Sequence, residues 1–85
     1  MNTHVFYSHN LNERMALVNK FGEFISRIKY YGFYINLYAL EAQFVEVYYN
    51  IHSNAIEQVE IISPLDDRLK LYAGDVDISD AFNNP

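Results

Sequence analysis

Hydrophobic and polar positions change period along this chain, and the changes predict its elements. Between Asn10 and Gly32 the apolar residues recur at three and four: Leu11, Met15, Val18 and Ile25 on one stripe, Leu17, Phe21, Phe24 and Ile28 on its neighbour. Asn10 followed by Glu13 is a capping-box variant, so a helix is expected to begin there. Gly32 suits the left-handed position that ends helices. Gly22 falls inside the apolar stripe, where a missing side chain means either close approach of another backbone or a break in the helix.

From Phe33 the period becomes two, in segments rich in β-branched and aromatic residues: FYINLYAL, FVEVYYN and IEQVEII. Glu41-Ala42-Gln43 is short enough to require an antiparallel hairpin, and Ile51-His52-Ser53-Asn54 reads as a loop with Asn54 left-handed. Ser63-Pro64-Leu65-Asp66 predicts a short second helix, with Ser63 as its cap, Leu65, Leu69 and Tyr72 as its apolar stripe and Gly74 as its end. The last residues are expected to add a short strand at Val76 and Ile78 or a turn over Asp80 to Phe82. The predicted fold is one α+β domain over residues 1–85, ordered α-β-β-β-α. A long N-terminal helix packs on one face of a three-stranded antiparallel meander, beside a short C-terminal helix.

Aromatic density is the feature this plan leaves unexplained. Tyr30 to Ile51 holds eight of the fourteen Phe and Tyr residues. On the first strand Phe33, Ile35, Leu37 and Ala39 share one face, which the helices can cover, while Tyr34, Asn36, Tyr38 and Leu40 share the other. That second face is not polar, as the solvated side of an antiparallel sheet ordinarily is. On the next strand Val45, Val47 and Tyr49 oppose Phe44, Glu46 and Tyr48, with the register between strands left open. Tyr34, Tyr38, Phe44 and Tyr48 are the candidate interaction residues. Either their rings lie flat with wet hydroxyls, or another chain covers them.

Composition narrows the partner. Eighty-five residues bury a modest core, and with no cysteine there is neither a disulfide nor a Cys/His zinc framework, which leaves self-association as a source of extra burial. A cysteine-free chain is compatible with the cytoplasm. The N-terminus lacks the pattern of a secretory signal, and Asn36, Glu41, Gln43, Glu46 and Asn50 interrupt the long apolar region, which is therefore not read as a membrane span. Net charge is −5, split between +2 over residues 1–40 and −7 over residues 41–85. This balance argues against a nucleic-acid partner. It also supports an alternative class, an acidic inhibitor or immunity-type protein that binds a basic protein.

Chemistry-bearing motifs are sparse. Asp75, Asp77 and Asp80 lack the central glycine and distant glutamate of a calcium loop and read as solvated acids. His4, His9 and His52 show no ligand or relay spacing, and no glycine-rich oxyanion loop accompanies Ser8 or Ser53. The expectation is a non-enzymatic protein without metal or cofactor, most simply a homodimer built through its aromatic sheet face.

Overall fold

The computed structural model describes residues 1–72. Gly74, expected to end the second helix, Val76 and Ile78, Asp80 to Phe82 and the acids Asp75, Asp77 and Asp80 lie outside the described residues.

A short helix that the periodicity did not reveal comes first, α1 over Thr3–Tyr7. Asn2 caps it, its Oδ1 accepting from the Val5 amide at 2.8 Å, and Phe6 is its one buried residue. The second helix, α2 over Leu11–Phe21, starts at the expected cap. Asn10 Oδ1 accepts from the Glu13 amide and Glu13 Oε1 from the Asn10 amide, each at 2.9 Å.

The helix does not continue to Gly32. It stops at Phe21, and Gly22 is extended at φ −83° and ψ 157°. A Cβ there would sit 2.6 Å from the Val18 carbonyl oxygen, so the helix-to-strand junction needs glycine. Residues 23–30 form β1 (Glu23–Tyr30), which pairs antiparallel with β2 (Phe33–Leu40). The spacing of Phe24, Ile25 and Ile28 suits a helix locally, but pairing with the strongly strand-forming Phe33–Leu40 satisfies a full ladder of backbone groups and prevails. Gly32 belongs to the β1–β2 turn, where Tyr31 takes the left-handed conformation at φ 54°. With β3 (Gln43–Asn50) and β4 (Ile56–Ile62) the sheet is an antiparallel meander of four strands rather than three, in the order β1-β2-β3-β4. Asn54 is left-handed at φ 61°, as its position in the β3–β4 loop predicts.

Register now assigns the faces. Tyr34 pairs with Tyr49, Asn36 with Val47 and Tyr38 with Val45, so these residues share one side. Ile35 pairs with Tyr48, Leu37 with Glu46 and Ala39 with Phe44 on the other. A bulge between Phe24 and Ser26 shifts β1 by one residue, leaving Phe24 opposite Tyr38 and Ser26 opposite Leu37.

The long helix was expected on the Phe33 side, and it lies on the Tyr34 side instead. Met15 and Val18 of α2 and Phe6 of α1 pack with Leu40, Val45, Val47 and Val59. Those valines make the β3–β4 half of this side the more continuously apolar surface, which is what an amphipathic helix buries. The other side is covered by a 3-10 helix over Asp67–Tyr72, whose Tyr72 and Leu69 pack with Ile28, Ile35, Leu37, Tyr48 and Ile62.

This second helix begins later than Ser63-Pro64 suggests. Ser63 Oγ accepts from the Leu65 amide at 3.1 Å within a turn, and Asp66 Oδ1 accepts from the Arg68 amide at 2.8 Å, so Asp66 is the cap. Leu65, expected in the apolar stripe, is 92% exposed.

The free edge of β4 is closed by the helical layer. Arg14 Nη1 donates to the Val59 carbonyl at 2.8 Å, and the Ile61 amide donates to the Tyr7 hydroxyl at 2.8 Å. Occupying outward backbone groups in this way blocks pairing with another strand. No helix among the described residues is long and apolar enough to cross a membrane.

Candidate interaction surface

Tyr34, Tyr38, Phe44 and Tyr48 do not form one surface. The register places Tyr34 and Tyr38 on the α2 side and Phe44 and Tyr48 on the opposite side. Helix α2 lies toward β4 and the end of β2, so the β1–β2 half of its side is left to side chains of the sheet itself.

Those side chains are aromatic and cationic. Phe24, 55% exposed, meets the half-buried Tyr38 edge-on, with ring centroids 5.7 Å apart. The Arg27 guanidinium lies 4.9 Å from the Tyr34 ring centroid and 5.6 Å from that of Tyr49. Its Nε donates to Asn36 Oδ1 at 2.7 Å. Stacking on the rings together with that hydrogen bond fixes the long side chain against the sheet. Lys29 stands opposite Tyr34 in the ladder and adds a second cation. Burial, then the neighbouring Tyr38, raises the Tyr49 hydroxyl above its ordinary range against the opposing pull of Arg27, so Tyr49 stays a neutral donor. Where α2 ends, exposed Phe21 lines a shallow open depression with Met1 and Glu41. Among the described residues, this surface presents aromatic rings and the fixed Arg27 donors.

On the opposite side the expected residues have been drawn into the fold. Tyr48 is buried, packs edge-on against Phe33 at 5.6 Å and donates to Glu46 Oε1 at 3.3 Å. Phe44 is half-buried beside the same cluster. Glu46 itself is 0% exposed. Tyr72 donates to its Oε2 at 2.7 Å, and Arg68 Nη2 lies 2.6 Å from its Oε1. Arg68 also donates to the Tyr48 hydroxyl. Burial raises the Glu46 carboxyl above its ordinary range; the Tyr72 hydrogen bond and Arg68 oppose this, while Glu60 and Asp66 add to it. The Tyr72 hydroxyl is raised as well, by burial and then by its bond to Glu46.

Sequence reasoning missed this centre. A single acid between Val45 and Val47 reads as a solvated position of a strand, and its partners Arg68 and Tyr72 are remote in the chain. The only local signal was an acid flanked on both sides by residues typical of a buried strand.

The histidines remain apart. His4 is on α1, His9 lies between the helices with Nδ1 3.7 Å from Glu13 Oε1, and His52 is in the β3–β4 loop. Among the described residues no group of three His, Cys, Asp or Glu side chains could hold a metal ion. No protein-family model matches the chain, and no curated protein and no solved structure matches it.

Proposed function

We propose that this chain is a non-catalytic, cytoplasmic interaction domain that associates through the β1–β2 half of its α2-side sheet face, most simply with a second copy of itself. The observation that carries the reading is the aromatic surface of Phe24, Tyr34 and Tyr38, with exposed Phe21 three residues before Phe24 in the chain, which no described element of the chain covers fully. Phe44 and Tyr48, on the opposite face, are not part of this contact.

The magnitudes allow a weak dimer. Phe21 and Phe24 each leave on the order of 100 Å² of ring and stem exposed, which contributes about 2.5 kcal/mol when covered at about 25 cal/mol per Å². Four such rings across a twofold axis give about 10 kcal/mol gross, of the same order as the roughly 4–15 kcal/mol that association costs. Arg27 and Lys29 would approach their own copies across such an axis, so added salt should help the contact by screening them.

Sedimentation of the wild type and of Phe24→Arg and Tyr38→Arg variants tests the proposal. The expected result is a concentration-dependent dimer that Phe24→Arg converts to a folded monomer. Tyr38 borders the α2 core, so its substitution also lowers stability. A wild type that stays monomeric, yet binds basic proteins with an affinity that falls as salt rises, would favour the acidic-inhibitor alternative instead.

A further inference from the structure

The sheet has two edges, and the described chain closes one of them. Along β4, Arg14 and Tyr7 take up the Val59 carbonyl and the Ile61 amide. Along β1 the alternate backbone groups that do not face β2 point away from the sheet, and among the described residues nothing bonds to them. An open edge of this kind accepts a further strand. The same strand holds an unmet polar group: Ser26 is 3% exposed, and its Oγ has no hydrogen-bond partner among the described residues.

Side chains decide which strand fits. Arg27 and Lys29 are exposed on the α2 side, and neither forms an ion pair with a described carboxylate. Ile28, between them, is buried on the other side. Antiparallel pairing of residues 26–30 with their own copy, with the two sides kept in step, sets these cations against themselves or each other. Like charges directly opposite are destabilising, so a second β1 is a poor occupant. The fitting pattern is acid, apolar, acid. Asp75-Val76-Asp77 supplies it, and Ile78 and Ser79 continue the alternation. The match to Arg27-Ile28-Lys29 holds in either strand direction, because both triplets are symmetric about their apolar residue. Reach is sufficient. Tyr72 packs against Ile28, so the described chain ends beside β1, and the three residues from Tyr72 to Asp75 span up to about 10 Å, roughly two strand spacings.

We propose that residues 75–79, which lie outside the described residues, pair with the outer edge of β1 as a fifth strand of the same chain, Asp75 and Asp77 facing Arg27 and Lys29 and Val76 covering Ile28. Ladder hydrogen bonds and the Val76 contact hold the strand, and the charges set its register. The edge is thereby guarded against pairing with other chains. The proposal does not depend on self-association through the aromatic face.

Amide hydrogen exchange and nuclear Overhauser contacts on the whole chain at low salt test it. Alternate amides of residues 75–79 should exchange about tenfold or more below their intrinsic rates, with backbone contacts to residues 27–29, equally at 10 and 500 µM. Asp75→Lys with Asp77→Lys should abolish that protection, and adding Arg27→Glu and Lys29→Glu should restore it. Intrinsic exchange rates throughout 75–79 in the wild type would overturn the proposal, and this measurement decides the matter even if a variant does not fold. So would charge reversal without effect, or protection that appears only at the higher concentration, which would mean pairing with a second copy.

Discussion

Replacing Gly22 by alanine separates two foldings of the same residues by the sign of its effect. In a helix running from Asn10 to Gly32, alanine would stabilise by about 1 kcal/mol, because glycine is a poor helix former. At the observed junction the new Cβ meets the Val18 carbonyl oxygen at 2.6 Å and Val18 Cγ1 at 3.3 Å. The oxygen is backbone, and it accepts the Gly22 amide at 2.8 Å, so it cannot yield without loosening the end of α2. Overpacking of this kind costs about 1–3 kcal/mol. Restricting the unfolded chain returns about 0.4–1 kcal/mol, since φ at this position is accessible to alanine. The net expectation is a loss on the order of 1–2 kcal/mol. With a urea dependence near 1 kcal/mol per molar for a chain of this size, the midpoint should fall by about 1–2 M. Far-ultraviolet circular dichroism follows the transition. Gly32→Ala is the control: no atom lies within 4 Å of its added Cβ, so stability should hold or rise slightly. A Gly22→Ala midpoint equal to or above that of the wild type would refute the close helix-to-strand junction.

Asn10→Ala should cost about 1 kcal/mol through loss of the side-chain acceptor for the Glu13 amide, read by the same denaturation. Asp66→Ala should destabilise by about 1 kcal/mol and more than Ser63→Ala does, because Asp66 and not Ser63 caps the 3-10 helix; the reverse order would return the cap to Ser63. Glu41→Gly should raise stability by about 0.5–1 kcal/mol, since Glu41 sits at φ 54° in the β2–β3 turn and glycine takes that conformation without strain. For pH, a folded-state carboxyl that is raised contributes stability below its unfolded value and loses that contribution as pH rises through the folded value. Glu46→Gln should therefore flatten the stability profile above about pH 4.5, measured by urea midpoints across a buffer series.

Much of the fold was legible because local chemistry and tertiary pairing agree there. The Asn10 cap, the strands at Phe33–Leu40 and Ile56–Ile62 and the left-handed Asn54 all have short-range causes. Glu23–Tyr30 misled because Ile25 and Ile28 are three apart and fit a helical stripe, while the bulge at Phe24/Ser26 interrupts the alternation that marks a strand. One glycine, tight against Val18, carried the correct boundary, and its two meanings could be separated only by the packing. The split of the aromatic residues was hidden for a different reason: Tyr34 and Tyr48 alternate correctly within their own strands, but which sides coincide depends on the β2–β3 register. The buried Glu46 centre depends on Arg68 and Tyr72 returning across the sheet, a long-range contact with no trace in any window of the chain.

Molar mass by light scattering, taken over a concentration series of roughly 10–500 µM, tests the proposed self-association most directly. The chain has a mass of 10.0 kDa. The wild type should climb from that value toward twice it, at least as readily in high salt as in low, while Phe24→Arg remains at the monomer mass with an unchanged far-ultraviolet spectrum. A wild type fixed at 10.0 kDa throughout would contradict the account.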